Sequence, residues 1–322
     1  MSGVIITGAT GFLGGTIARQ LLREGERVIA LGRDLAKLAL LAEAGADAYA
    51  LDLAEGVSLP EMSASGVIHC AALSSPWGRR ADFERANIGG THNALLLALE
   101  AGAQRFVHIS SPSIYFRYAD QEGIAETMPL PPPVNAYAAT KAASEQLVLA
   151  APELDPVILR PRGLYGPGDT ALLPRLLRAA AKRPLPLMRG GIAATDLTYI
   201  DDVASAAIAA LRAPNPASRV YNVSGGEALP IRMVAERAGA MAGVNVRWRE
   251  MPWPLVRTAA TAAETVCRAL PGHPEPIVTS YSAGLFAFRQ TLNLDRIQKE
   301  LPWRPRIGFD EGLALTFRDP SR

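Results

Sequence analysis

Tyr137 and Lys141 stand four residues apart in Tyr137-Ala138-Ala139-Thr140-Lys141. On a helix that spacing puts both side chains on one face, so a phenol and an ammonium can serve one site. An ammonium beside a phenol favours the phenolate, and the lowered pKa makes tyrosine a general acid and base nearer neutrality. Upstream, Ser111 closes the apolar run Arg105-Phe106-Val107-His108-Ile109. A hydroxyl there can hold a carbonyl or alcohol oxygen, or simply cap the next turn. A second chemistry-bearing stretch opens the chain, where Val4-Ile5-Ile6-Thr7 runs into Gly8-Ala9-Thr10-Gly11-Phe12-Leu13-Gly14. A strand that turns on glycines into a helix presents unpaired N–H groups and a dipole end, a place for a pyrophosphate.

These groups need a frame, and the chain supplies one by alternation. Further strands are expected at Arg27–Leu31, Ala48–Leu51, Gly66–Cys70, Arg105–Ile109 and Pro156–Arg160. Helices are expected from Leu35 to Ala44, Asn87 to Ala101 and near Tyr137 to Ala150. Strands alternating with helices over short links predict an α/β fold with a doubly wound, parallel, Rossmann-type sheet. The strand ends would then gather the glycine loop, Asp52, Ala71, Ser111 and Pro161 at one edge. Beyond residue 165 the order loosens. Leu197–Ile200, a helix from Asp201 to Leu211 and Val220–Val223 still read as sheet and flank. The expected organisation is a dinucleotide-binding domain over 1–165, completed by about 191–224. A smaller, discontinuous, mainly C-terminal substrate lobe takes 166–190 and 225–322.

At 322 residues and 49% apolar composition the chain can bury a sizeable core. Basic and acidic residues nearly cancel, 33 against 31, and are scattered. That argues against a nucleic-acid partner. Cys70 and Cys267 form neither a disulfide framework nor a metal spacing, and no metal is expected. His69 and His108 lie in apolar runs and read as packed strand residues. No run of eighteen apolar residues suggests a membrane span, and the N-terminus enters a strand directly. A cytoplasmic protein without membrane partners is the expectation.

The combination of Gly8, Gly11 and Gly14 with Asp52, Ser111, Tyr137 and Lys141 resembles the extended short-chain dehydrogenase/reductase family, which includes NAD(P)-dependent epimerases and dehydratases. Agreeing runs are Asn87–Thr91, Arg160-Pro161-Arg162-Gly163-Leu164-Tyr165-Gly166-Pro167-Gly168-Asp169, Tyr199-Ile200-Asp201-Asp202 and Tyr221-Asn222-Val223-Ser224-Gly225-Gly226. The resemblance implies that Tyr137 exchanges the proton at the reacting oxygen, Ser111 orients that oxygen and Lys141 holds the nicotinamide ribose. It also implies cofactor contacts from Gly8, Thr10, Gly11, Phe12, Leu13 and Gly14. Asp52 and Leu53 would meet the adenine, Ala71 and Ala72 would line the dinucleotide, and Pro161 would sit by the nicotinamide. Asn87 would join the cofactor shell or cap its helix. A homodimer through two long helices, one carrying Tyr137, is implied as well.

Where NAD users of that family commonly carry an acid at the end of the second strand, this chain has Gly32 and then Arg33. A guanidinium suits a 2′-phosphate, which points to NADP, with NAD possible if Asp34 serves the ribose instead. The implied reaction is hydride transfer between nicotinamide and a secondary alcohol or ketone, in the 3β-hydroxysteroid dehydrogenase-like branch, on a sterol-like or other apolar alicyclic substrate. The alternatives are a nucleotide-sugar epimerase or dehydratase and a non-catalytic NADP(H) sensor. The first is disfavoured by Thr195, which stands where those enzymes usually place an arginine for the diphosphate. The second is disfavoured because tyrosine and lysine are both kept. Met251–Val256 and Gly284–Phe288 are candidates to line an apolar pocket. Arg162 and Arg189 are candidates to meet an acidic group on the substrate.

Overall fold

The computed structural model describes residues 2–56 and 62–318. Its first half runs β1 (Gly3–Thr7), α1 (Phe12–Arg23), β2 (Val28–Gly32), α2 (Leu35–Glu43), β3 (Asp47–Ala50) and β4 (Ala64–His69). Then come α3 (Arg80–Phe83), a π-helical turn (Glu84–Gly89), α4 (Gly90–Glu100), β5 (Arg105–Ile109), β6 (Gln121–Ile124), α5 (Ala136–Leu149) and β7 (Val157–Pro161). The second half holds β8 (Leu164–Tyr165), α6 (Leu173–Lys182), β9 (Leu185–Leu187), β10 (Ala194–Thr195), β11 (Thr198–Tyr199), α7 (Ile200–Arg212) and β12 (Val220–Val223). It closes with β13 (Leu229–Pro230), α8 (Ile231–Met241), β14 (Trp248–Glu250), α9 (Trp253–Ala269), α10 (Ser280–Leu285), β15 (Gln290–Leu292), α11 (Asp295–Glu300) and α12 (Phe309–Thr316).

Seven strands form one parallel sheet in the order β12-β7-β5-β4-β1-β2-β3. Strands buried on both faces read as near-continuous apolar runs, which is how β1, β2 and β5 are written. Their alternate side chains feed two apolar layers. Ile6 and Val28 meet Ile17, Leu21 and Val203 on one side, and Ile5, Val67 and Phe106 meet Leu97 and Val148 on the other. Each such aliphatic side chain contributes about 1.5–3 kcal/mol by leaving water. The strand order reverses between β1 and β4, so a crevice opens at their carboxyl ends.

A second sheet, β13-β10-β15-β6, gathers short pieces from across the chain. One of them, β6, comes from a stretch to which the sequence patterns assign no element. Leu197–Ile200, which reads as a strand, contributes only β11, paired with β8 outside both sheets. The helix expected to start at Asn87 begins at Arg80 and passes through the π-helical turn. That wider turn leaves the Asn87 carbonyl to accept from Ser144 Oγ at 2.8 Å, tying it to α5. Among the described residues no helix is long and apolar enough to cross a membrane.

Candidate active site

The glycine loop is shaped by its own backbone. Gly8 has φ +66°, and a Cβ there would sit 2.8 Å from the Ala71 nitrogen, across the crevice between β1 and β4. A Cβ on Gly14 would lie 2.3 Å from the Gly8 carbonyl oxygen, so only glycine lets α1 approach the loop this closely. The α1 N-cap is Gly11, which offers no side-chain cap, and no acid stands in the first turn. The first N–H groups are thus left to an anion. Thr10, Gly11 and the helix-starting Phe12 and Leu13 all lie on this turn, and Ala71 and Ala72 follow β4 on the opposite bank. Ala71 is fixed there, its N–H donating to Thr7 Oγ1 at 3.3 Å. Pro161 ends β7 beside Val223 of β12. This cradle fits a dinucleotide.

At the adenosine end, Arg33 and Asp52 meet each other. Arg33 Nη1 lies 3.3 Å from Asp52 Oδ2, and the arginine side chain is 74% exposed, free to swing to a ligand. Burial alone would raise the Asp52 carboxyl, but the Ala54 N–H, Arg33 and Arg85 outweigh it and hold the pKa lowered. A Cβ on Gly32 would come within 2.5 Å of Thr10 Cγ2, so an acid there would have to displace the Thr10 side chain. Asp34 is occupied as the N-cap of α2, accepting from Lys37 N at 3.2 Å. Leu53 is a buried core residue that begins the next 3-10 turn, and its carbonyl accepts from Asn93 Nδ2 at 2.6 Å.

Asn87 is a pin. It is 1% exposed, accepts from Leu73 N at 2.7 Å and donates to Leu73 O at 3.3 Å and Thr140 Oγ1 at 3.0 Å. It does not cap its helix. Its hydrogen bonds fasten the loop after β4 to α5.

Helix α5 starts on Asn135, whose Oδ1 accepts from Ala138 N at 2.8 Å. Its first turn sets Tyr137 by the end of β5, where the hydroxyls of Ser74 and Ser111 lie close enough to the phenol to pull its pKa down against burial. Ser111 also accepts from Ser113 N at 3.2 Å, so it caps a turn and meets Tyr137 at once. Ser74 escapes a reading of the sequence because its loop carries no motif; its role depends on where Asn87 holds Leu73.

Lys141, 2% exposed, follows one turn on and donates from Nζ to Ile109 O at 2.6 Å and to His108 Nε2 at 3.3 Å. Burial lowers its pKa to about 8, against the pull of Glu145. The expectation that Lys141 lowers the Tyr137 pKa is corrected: burial raises the phenol, the serine hydroxyls oppose it, and the lysine is turned toward β5. His69 and His108 are packed strand residues, 1% and 0% exposed, stacked at 5.3 Å. Burial and then Lys141 hold both imidazoles neutral, His69 at about 3.

The two arginines considered for a substrate acid part company. Arg189 is spent: both its Nη groups lie 2.8 Å from Asp120, and it covers the Phe288 ring at 4.6 Å. Arg162 is 7% exposed and donates to Thr195 Oγ1 and Gln290 Oε1. Of the runs expected to line a pocket, Trp253, Ala287 and Phe288 pack with Met188 and Tyr118 into an apolar cluster of their own, while Leu255 is 66% exposed. Tyr281 lies nearer the site. Burial raises its phenol to about 12, and it feels Arg162, Tyr137 and Tyr118. It lies far along the chain from Tyr137, and no local spacing flags it.

A glycine cradle at a sheet switch point, with a Ser–Tyr pair and a lysine at the neighbouring strand end, defines a Rossmann-type nicotinamide-dinucleotide enzyme. The chain belongs to the NAD dependent epimerase/dehydratase family, whose profile matches residues 4–224. It is 31% identical to a 2-alkyl-3-oxoalkanoate reductase of Stenotrophomonas maltophilia, covering 96% of this chain and 97% of that protein. It is 30% identical to a sterol-4-alpha-carboxylate 3-dehydrogenase, decarboxylating, of Schizosaccharomyces pombe, over 98% and 96%. The fold matches MoeE5 in complex with UDP-glucose and NAD, with a TM-score of 0.75, 25% identity and coverage of 98% and 97%. The protein is an NAD(P)-dependent oxidoreductase acting between nicotinamide and a secondary alcohol or ketone.

Proposed function

We propose that Tyr137 passes the proton to and from the reacting oxygen, that Ser111 orients that oxygen, and that Lys141 holds the nicotinamide ribose. The observation that carries this is the placing of the Ser111 hydroxyl by the Tyr137 phenol at the end of β5, with Lys141 one turn further along the same helix. A carbonyl oxygen that replaces this contact accepts from both hydroxyls and has its proton donor in place. The loop from Gly8 to Gly14, with Ala71, Ala72 and Pro161, would hold the dinucleotide. When bound, the nicotinamide supplies or accepts the hydride.

The absence of an acid at Gly32, where β2 ends, the exposed Arg33 and the engaged Asp34 support NADP over NAD. The division into a dinucleotide-binding body and a lobe of 166–190 and 225–322 fits the placement of α6, α8, α9 and α10 outside the seven-stranded sheet. Exposed leucines on the two long helices, Leu96 and Leu99 of α4 and Leu149 of α5, support a homodimer through that face.

The relatives guide the substrate. In the names 2-alkyl-3-oxoalkanoate reductase and sterol-4-alpha-carboxylate 3-dehydrogenase, the reacting 3-position is one carbon away from a carbon bearing a carboxylate. An apolar substrate with that arrangement, sterol-like or alkyl, suits the aromatic wall of Phe116, Tyr118 and Tyr281. The test is Tyr137→Phe. Losing one general acid lowers kcat roughly 10²–10⁴-fold, while cofactor affinity stays within twofold. Full turnover in the variant overturns the assignment.

A further inference from the structure

Three arginines are buried to within 7% of full coverage: Arg105, Arg160 and Arg162. Two have carboxylates. Arg105 pairs with Asp155 and also donates to the carbonyls of Ala210 and Ala213. Arg160 grips Glu145 through Nε and Nη2 and meets Tyr115. Arg162 differs. Nε donates to Thr195 Oγ1 at 2.8 Å and Nη2 to Gln290 Oε1 at 3.0 Å, both neutral acceptors. Among the described residues no carboxylate lies within 4.0 Å of it, and Nη1 has no partner. Asp196 is the near acid, but it sits farther off, and its carboxylate already accepts from Leu292 N at 2.7 Å.

A guanidinium has five N–H donors in a flat fork, and at least two here remain uncommitted. Burying such a cation without an anion is unfavourable unless a ligand completes it. Its position says which ligand. Arg162 follows Pro161 at the carboxyl end of β7, the edge that carries the Ser111–Tyr137 pair. β7 pairs with β5 through Leu159 and Ile109, and Ser110 N donates to Leu159 O at 2.7 Å, so Arg162 and Ser111 leave adjacent strands at one edge. Thr195 and Gln290 belong to β10 and β15 of the small sheet and take the Nε and one Nη2 hydrogen of the fork.

We propose that Arg162 anchors a carboxylate that the substrate carries close to its reacting carbon, making 3-oxo and 3-hydroxy acids the substrate class. The proposal rests on the oxidoreductase reading above. In it, hydride goes to C3 of the 3-oxo acid and a proton to its oxygen, giving the 3-hydroxy acid and oxidised cofactor. Arg162 takes no part in bond making; it fixes where C3 lies.

The experiment measures kcat/KM for oxidation of 3-hydroxydecanoate and of its methyl ester with NADP+, using wild type, Arg162→Met and Arg162→Lys. Calorimetric binding of 3-hydroxydecanoate to the NADPH-loaded proteins runs beside it. A hydrogen-bonded charge pair lost from a binding site corresponds to roughly 10- to 100-fold in affinity. The acid-to-ester ratio of kcat/KM should fall by that factor in Arg162→Met, chiefly through KM, and Arg162→Lys should recover part of it. Equal losses on acid and ester would make Arg162 a structural clamp and overturn the proposal, as would a wild-type enzyme that favours the ester. If wild type turns over neither compound but binds the acid, and Arg162→Met loses that binding, the carboxylate site stands and the oxidoreductase reading falls. Absence of any acid binding overturns the site itself.

Discussion

Two residues apart on one chain segment, Arg160 and Arg162 show two ways of burying a cation. Arg160 is closed off by the molecule itself: Glu145 takes its charge, Tyr115 lies under it at 4.8 Å, and Ser110 donates to the same carboxylate. Tyr115 in turn donates to Asn222 Oδ1, so every partner is protein. Arg162 meets neutral acceptors, at the sheet edge that also carries Ser111. A complete network holds the fold, and an incomplete one waits for a ligand. The comparison is broken most directly by removing Glu145. Glu145→Ala strands Arg160 as an unpaired buried charge and should cost about 3–5 kcal/mol of unfolding free energy. Arg162→Met discards an already unmatched charge and should stay within about 1 kcal/mol. Denaturant midpoints of the two variants measure the contrast, and equal losses would erase it.

Lys141 sharpens the same distinction, since it too is buried with only neutral acceptors, Ile109 O and His108 Nε2. Its pKa is lowered from 10.5 to about 8 in the folded chain. Below about pH 8 both folded and unfolded chains carry the proton, and the folded state bears the full cost of the buried ammonium. Between about 8 and 10.5 the unfolded chain keeps a proton that the folded chain has released, so this group's contribution to stability rises with pH. The gap corresponds to about 3 kcal/mol. In cofactor-free protein, the stability of Lys141→Met relative to wild type should therefore be greatest near pH 7 and decline toward pH 10. A difference that holds constant across that range would show that Lys141 is not desolvated as the geometry implies.

Legibility from sequence follows the distance over which each feature is decided. The glycine loop, the strand–helix alternation and the Tyr137–Lys141 spacing are local, and the seven-stranded sheet follows from them. The small sheet is not local: β10 and β13 are two residues long, and β10 brings Thr195 to Leu229 of β13 and to Gln290 of β15. No hydrophobic period can announce a strand of that length. Ser74 and Tyr281 reach Tyr137 only through such long-range packing. Asn87 is visible as a polar residue at a helix start, but its role as a pin depends on Leu73 and Thr140 being folded against it. The sequence reading also expects Lys141 to lower the Tyr137 pKa, because spacing says which side chains share a face. It does not say that β5 offers the ammonium a nearer carbonyl.

Arg33 supplies the mildest test, because it is an exposed cation held only by a surface ion pair. It lies 74% exposed with Asp52 at 3.3 Å, so its local pairing contributes little to stability and can be exchanged for a ligand phosphate. If the same logic that marks Arg162 holds at the adenosine end, Arg33→Ala should leave the unfolding midpoint unchanged and weaken NADPH roughly 10-fold, the equivalent of one charge-assisted hydrogen bond in a solvated setting. NADH, which lacks the 2′-phosphate, should bind the variant as it binds wild type. Titration of both cofactors into both proteins decides it. An equal loss for NADH and NADPH would mean that Arg33 serves the adenine or Asp52 rather than a third phosphate, and a wild type that prefers NADH would place the ribose hydroxyls on Asp52 instead.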